Sequence, residues 1–418
     1  VAYDRTVVPF CIDAAVLGTD RHLVCAESGY SWHVTVPAGT WHLSGQVKPD
    51  SDWCLDTALR LGGSSPDLSP PGRFVNAMAL VMSGSSAPVP WQRVMPAGAH
   101  RAFVRGIIDQ VAVAMAKAPV DYYRGTWVPG NAVIRSLRPA RVDAGRFQAL
   151  VAAGVGNLAT VQTFAPDFRG YAMPVTYDRF GTLTGRLTVT KGPNILTLKR
   201  EYRDLLVPAG DGCIVSVDFA ALEVRVLLYE AGRRCDEPDL YAMIAREIGH
   251  DRKAVKGAVI SELYGSSKFA LGKVLGIEGR ELNTFVKKVK AYFNTPALLK
   301  RIKAQFYETG RVINRYGRPV LIDEPQDHIF INYYAQSSGV DVTLLGFSQI
   351  VARLAEEAPG VRPLYLLHDA LILDVPRRHL DQIMSVDHVF VPGYVQKFPI
   401  RAECVSRCKQ ESISSPIT

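Results

Sequence analysis

The sequence predicts an α+β fold organised on an antiparallel sheet, and three observations in its second half carry that prediction. Ile214 to Phe219 (IVSVDF) is a β-branched strand that ends on an acid, and Pro363 to Pro376 (PLYLLHDALILDVP) is two apolar strands folded about His368-Asp369. Between and after them, apolar residues recur every three or four positions across 239–310 and from about Ile329 to Glu357, which is the helical period. Strands and helices segregated in this way belong to α+β rather than to alternating α/β architecture.

The remaining elements follow in chain order. Phe10 to Gly18 and His22 to Ala26 read as short strands joined by a turn, and residues alternate from Ser31 to Leu43. Gly62 to Gly72 (GGSSPDLSPPG) has the glycine, serine and proline of a surface connection. From Ala99 to Leu150 the pattern is mostly helical, with Ala102 to Lys117 the clearest stretch, and loops return around Pro166 to Gly181. A helix-like run, Ala220 to Ala231, follows the 214–219 strand directly, and Arg311 to Ile322 reads as a hairpin around Tyr316-Gly317-Arg318. No internal repeat is visible.

Composition narrows the class. Of 418 residues, 48% are hydrophobic and 21% charged, as in a soluble globular protein large enough for two or three compact units. The net charge of +8 calls for an anionic partner without choosing between nucleic acid and an acidic surface. Seven cysteines, at 11, 25, 54, 213, 235, 404 and 408, are odd in number and lack paired spacing, which argues against a disulfide framework and for a reducing cytoplasm. Cys404 and Cys408 are four apart with no matching Cys/His pair, so no zinc site is expected there. No apolar run is long enough to cross a bilayer, no signal pattern opens the chain, and there is no GxxxxGK[ST] phosphate loop.

Two constellations carry chemistry. Asp218 and Asp369 each sit at the end or turn of a strongly apolar strand, where a carboxylate is costly to desolvate without a partner. Magnesium is one such partner, because it takes one or two carboxylates and completes its shell with phosphates. Taken singly, each acid reads more simply as a strand or turn cap. The second constellation is Asp251 to Gly265 (DRKAVKGAVISELYG). Asp251 can cap a helix on which Arg252, Lys256, Ile260 and Tyr264 recur every four residues and share one face. Cations suit a triphosphate, and an apolar and an aromatic side chain suit a base. Alone, this too is an ordinary amphipathic helix. Lys253, Lys268, Lys273, Lys287, Lys288, Lys290, Lys300, Arg301 and Lys303 extend the basic bias.

Taken together and in order, these segments resemble the motifs of family A DNA polymerases over roughly residues 180 to 405. Val217 to Arg225 (VDFAALEVR) resembles motif A, Arg252 to Gly265 motif B, and Leu367 to Pro376 (LHDALILDVP) motif C. Upstream, Thr184 to Leu187 (TGRL) and Pro193-Asn194 resemble the primer-template segment, and Asn332 and Gln336 in INYYAQ match a polar pair on the helix before motif C. The resemblance implies a right-hand polymerase with an antiparallel palm sheet, helical fingers (about 233–325, within a palm-and-fingers region 186–418), a reduced thumb (106–185) and an N-terminal accessory domain (1–105). It implies two Mg2+ ions, with Mn2+ as a substitute, on Asp218, Asp369 and the Phe219 carbonyl, and Arg252 and Lys256 on the incoming triphosphate. Lys256 would also protonate the leaving pyrophosphate. Tyr264 would stand by the nascent pair, and Arg186, Asn194, Asn332, Gln336 and His368 would contact primer or template. Glu223 would crowd the ribose 2′ position and favour deoxynucleotides. The implied partners are a primed DNA template, deoxynucleoside triphosphates and a processivity or replisome protein. The implied setting is the cytoplasm of a bacterium or a phage-infected host.

The sequence departs from the pattern at three places. Ile260 stands where the family usually has Phe or Tyr, and Ala370 follows the motif C Asp where many relatives have Glu. In Cys11 to Ala15 (CIDAA), the second acid of an exonuclease Asp-x-Glu is Ala15, so no proofreading is expected and 1–105 reads as a degenerate exonuclease-like or unrelated module. Motif B is also similar to that of phage-type single-subunit RNA polymerases, which lack the Glu and TGRL. An RNA polymerase or primase-like enzyme, an inactive nucleic-acid-binding scaffold and a chance match are therefore the competing readings.

Overall fold

The computed structural model describes residues 9–47, 51–82, 88–234, 236–264 and 268–405, without the side chains of 262–264, 268 and 274. The chain divides into two compact units, 1–128 with 317–319, and 129–316 with 320–418.

The first unit holds four strands: β1 (Phe10–Ile12), β2 (His22–Ala26), β3 (Gly29–His33) and β4 (Trp41–Leu43), in the order β3-β2-β1-β4. β1 runs antiparallel to β2 and parallel to β4. The strand expected over 10–18 stops at Ile12, because Asp13 accepts a hydrogen bond from the Ala15 N–H (2.8 Å) and caps a one-turn helix, Ala14–Leu17. Gly18 closes that turn at φ 61°, where a Cβ would lie 2.5 Å from Trp91. The alternation from Ser31 to Leu43 is shared by two strands, with Pro37 and Gly39 (φ 73°) between them. The connection expected at 62–72 gives way to a helix, Gly72–Val81, that sequence patterning did not anticipate. The helix expected at 102–117 is α1 (Ala97–Met115), which buries Phe103, Ile107, Ile108, Val111 and Ala114 at helical spacing.

The second unit is built on a five-stranded sheet of β5 (Gly212–Phe219), β6 (Arg362–Leu367), β7 (Ala370–Pro376), β8 (His388–Phe390) and β9 (Lys397–Cys404). The order is β6-β7-β5-β9-β8 with every pairing antiparallel, as the α+β prediction requires. β9 escaped the sequence reading because Pro399 and Arg401 break its apolar pattern. β5 has no polar alternation because both faces are covered. Cys213, Val215, Val217 and Phe219 share a core with Val342, Leu345 and Phe347, while Ile214 packs with Val161, Phe164 and Leu205.

Around the sheet lie α2 (Leu222–Glu230), α3 (Leu240–Ile248), α4 (Arg252–Tyr264), α5 (Lys268–Leu275), α6 (Gly279–Tyr292), α7 (Thr295–Thr309) and α8 (Asp327–Glu357). Among the described residues the helical zone 239–310 is five helices, and α3, α5 and α6 end near Gly249, Gly276 and Asn294, all three with positive φ. The hairpin expected over 311–322 has short strands at Val312–Ile313 and Pro319–Val320. α8 is anchored by a buried polar set. Arg179 donates to Asn131 Oδ1 (2.7 Å) and Asp341 Oδ1 (3.3 Å), and Asn314 donates to Asp341 Oδ2 (2.8 Å). Removing one member would take a hydrogen-bond partner from a buried charge or amide.

Candidate functional site

The site begins with a two-residue turn. Leu367 pairs with Ala370 across β6 and β7, so His368 and Asp369 form the tip, and His368 adopts φ 55° to close it. β5 lies beside β7 in a register that sets Ala370 opposite Asp218, and the Phe219 N–H donates to the Asp369 carbonyl at 3.1 Å. Two acids 151 positions apart in sequence thereby reach the same end of one sheet.

Their electrostatics follow from that placement. Asp218 opens onto a cleft, yet burial of its surroundings and the neighbouring Asp369 raise its pKa to about 7, with Glu403 adding to the rise. Burial also raises the Asp369 carboxyl, with Glu223 contributing. Opposing them is Arg401, which pairs with Asp218 in register on β9 and holds the Asp218 pKa down. Glu403, one step along the same face, is held by Arg200 at 3.0 and 3.2 Å. Burial lowers the His368 pKa, and Arg186 lowers it further.

The cation face of α4 meets this end of the sheet. Val255, Ala258 and Val259 are buried in the helical core, which turns Arg252, Lys256 and Ile260 outward. Asp218, Phe219, Ala220, Tyr241, Arg252, Lys256 and Arg401 line one cleft of about 300 Å³. Arg252 is held in it by Asp239, whose Oδ1 and Oδ2 accept from Nε at 3.0 and 2.8 Å, and Lys256 Nζ sits 5.7 Å from the Tyr241 ring centre. Arg225 fixes the loop behind: fully buried, it donates to the carbonyls of Ala220 (2.6 Å), Glu237 (2.8 Å) and Pro238 (3.2 Å). That clamp joins the end of the β5 turn to the start of α3.

A second cleft, about 260 Å³, adjoins the first through Ala221 and Tyr241 and is lined by Arg186, Glu223, Ile260, Gln336, His368 and Asp369 among others. Within it Arg186 donates to Glu223 at 2.7 Å, and Thr184 donates to Gln336 Oε1 at 3.2 Å. The two residues assigned separate duties from sequence, Arg186 for DNA and Glu223 for the sugar, are therefore ion-paired. Asn194 and Asn332 line neither cleft. The Asn194 N–H donates to Thr163 Oγ1 (2.9 Å), and Asn332 lies on α8. Tyr264 ends α4, and its side chain lies outside the described residues. Sequence reasoning missed Arg401, Asp239 and Tyr241. Asp239 was open to discovery as the N-cap of α3, whereas Arg401 acquires meaning only through β9 pairing that no spacing announces.

Among the described residues no helix is long and apolar enough to cross a membrane. The POL domain of Pol1 from M. smegmatis, solved in complex with DNA primer-template and dNTP, superposes with a TM-score of 0.59 at 12% identity, covering 91% of each chain, a likeness of fold. DNA polymerase I of Bacillus caldotenax is 26% identical over 258 residues, 53% of this chain and 29% of its own length. The DNA polymerase of Mycobacterium phage L5 is 28% identical over 206 residues, 46% of this chain and 33% of its own. The matched stretches thus span about a third or less of these relatives. The family model for DNA polymerase family A matches residues 169–398, which hold both acids, the α4 cation face and the Arg186–Glu223 pair. By that match across more than half its length, the chain belongs to DNA polymerase family A.

Proposed function

We propose that this chain is a DNA-templated DNA polymerase that adds deoxynucleotides to a primer 3′ end by phosphoryl transfer and carries no proofreading exonuclease. The observation that supports it most is the meeting of Asp218 and Asp369 with Arg252 and Lys256 around adjoining clefts, which sets paired acids beside cations that suit a triphosphate.

The donor set fits Mg2+, or Mn2+ in its place. Two carboxylates whose pKa values are raised by burial, that of Asp218 also by Asp369 and that of Asp369 also by Glu223, call for a cation, and the Phe219 carbonyl adds a third hard oxygen. Asp218, Asp369 and the Phe219 carbonyl would hold two such ions, whose chemistry would be activation of the primer 3′-hydroxyl and charge neutralisation on the phosphates. The protein's own groups do the rest. Arg252 and Lys256 bind and orient the triphosphate, and Lys256 delivers a proton to the departing pyrophosphate. Ile260 and Tyr264 border the sugar and base, and Glu223, positioned by Arg186, crowds the 2′ side. His368, Gln336, Asn332, Asn194 and Arg186 serve the primer-template. Asp13 and Ala15 in place of an Asp-x-Glu pair underlie the reading without proofreading. Residues 106–185 are assigned to a reduced thumb, with fingers near 233–325. A processivity partner would compensate for so short a thumb.

The test is extension of a labelled primer on a DNA template with Mg2+, offering deoxynucleotides and ribonucleotides separately. Extension with deoxynucleotides, reduced at least about 100-fold in Asp218→Asn and Asp369→Asn, is expected. Extension with ribonucleotides would instead make the chain an RNA polymerase, and duplex binding without extension would make it a scaffold.

A further inference from the structure

We propose that Asp13, His22 and His42, in the first unit, form a binding site for one divalent transition-metal ion of the zinc class, with coordination positions left to solvent. Their candidate ligand atoms all lie within 4.8 Å of one another. This site is separate from the polymerase acids and does not rest on the polymerase reading.

The sheet makes the cluster. β1 is flanked by β2 and β4, and Asp13 follows its last residue. Ile12 pairs with Leu23, so the antiparallel register carried one step further sets Asp13 beside His22, and Nδ1 of His22 is 4.0 Å from Asp13 Oδ1. On the other side Cys11 pairs with His42, and since Cys11 and Asp13 are two apart they share a face with it. His42 Nε2 stands 3.1 Å from Asp13 Oδ2, close to the ~3.3 Å that separates two ligands on a tetrahedral ion with bonds of ~2.0–2.1 Å. The backbone is held on both sides, with Asp13 N–H on the Leu43 carbonyl (2.9 Å) and His42 N–H on the Trp53 carbonyl (2.7 Å).

Ligation displaces one proton: Asp13 Oδ2 accepts from His42 Nε2–H at 3.1 Å, and an ion bound between them takes that proton's place. Asp13 Oδ1 is engaged by the Ala15 N–H, which orients the carboxylate and leaves Oδ2 to face His42. His22 Nδ1 accepts a long bond from the Ala14 N–H (3.3 Å), the longest hydrogen bond of the group and one that a metal would also displace. Two imidazoles and one carboxylate favour zinc-class ions over magnesium, which takes oxygen ligands. Three protein ligands, each about one-fifth exposed, leave room for water, as in sites that keep an open position.

The test uses the full chain with Asp218→Asn and Asp369→Asn, which silences the polymerase acids, in buffer holding excess Mg2+. Titration with Co2+ should show one saturating equivalent with visible d–d bands and no thiolate charge-transfer band, and Zn2+ should displace it. Adding His22→Asn with His42→Gln should weaken Zn2+ binding at least about 100-fold. Asp13→Asn tests the same point without disturbing the fold, because asparagine caps a helix as well as aspartate does. Circular dichroism of each metal-free variant should match that of the parent. Absence of saturable binding in the parent would overturn the proposal. So would an unchanged Co2+ spectrum and affinity in the His22/His42 variant, or strong thiolate bands, which would move the ion to cysteine.

Discussion

At the scale of single residues, the proton on Asp218 ties the site to pH. Burial and Asp369 raise its pKa to about 7, against 3.8 for an ordinary Asp. The protonated form therefore dominates below about pH 7, and a cation at this position must displace that proton. Apparent Mg2+ affinity should fall about tenfold for each unit of pH below 7 and level off above it. Extension rates measured against Mg2+ concentration at several pH values check this. A Mg2+ requirement that does not change between pH 5.5 and 8 would place the metal elsewhere. Arg401 belongs to the same account, because it is the cation that limits the rise. Arg252, the proposed triphosphate ligand, shows the complementary arrangement and is already occupied by Asp239. That pair is half exposed, so its rupture costs about 1 kcal/mol or less, and an incoming phosphate can replace Asp239 cheaply.

Among the elements, α8 under β5 decides how accurately the acid is placed. Gly346 faces Phe219, the residue after Asp218, and a Cβ there would lie 2.9 Å from Phe219 Cζ and 3.3 Å from Val391. Both neighbours are buried, and Phe219 is wedged between Phe347 (5.0 Å between centres) and Phe398 (6.2 Å). Gly346→Ala should therefore destabilise the chain by about 1–3 kcal/mol through overpacking. Because the displaced ring adjoins Asp218, extension rate should fall more than DNA affinity. Thermal melting and single-turnover extension check the two effects. An unchanged melting temperature with unchanged rate would show that β5 has slack the packing does not suggest. The strand, turn and helix that build this region were legible in sequence because each combines a strong local pattern with an acid at its end: IVSVDF, LLHDALI and the four-residue rhythm of α4. β9 was not, since Arg401 and Glu403 make an edge-like pattern of a strand that lies inside the sheet. Nor was the His22–Asp13–His42 group, whose members are 9 and 29 residues from the acid and meet only through pairing of β2 and β4 with β1.

At the scale of the whole molecule, the net charge of +8 is a property that sequence composition states without reference to fold. Composition alone could not choose a nucleic acid over another polyanion. The proposed function takes nucleic acid, and the cations of α4 and β9 show that part of the charge gathers at the clefts. Further basic residues, among them Lys287 and Lys300, are exposed on α6 and α7. Charge of this kind binds phosphates by releasing condensed counterions, so affinity for a primed duplex should fall as a power of salt concentration. Between about 50 and about 200 mM salt, with Mg2+ fixed, the dissociation constant should rise at least about tenfold and by the same factor for duplexes of different sequence. Fluorescence anisotropy with two unrelated primer-templates measures both points. A flat salt response would mean that the duplex is held mainly by uncharged contacts, leaving the +8 as a device for solubility. A slope that differs between sequences would mean that base edges are read, and that the DNA contacts lie deeper than the exposed cations of α6 and α7.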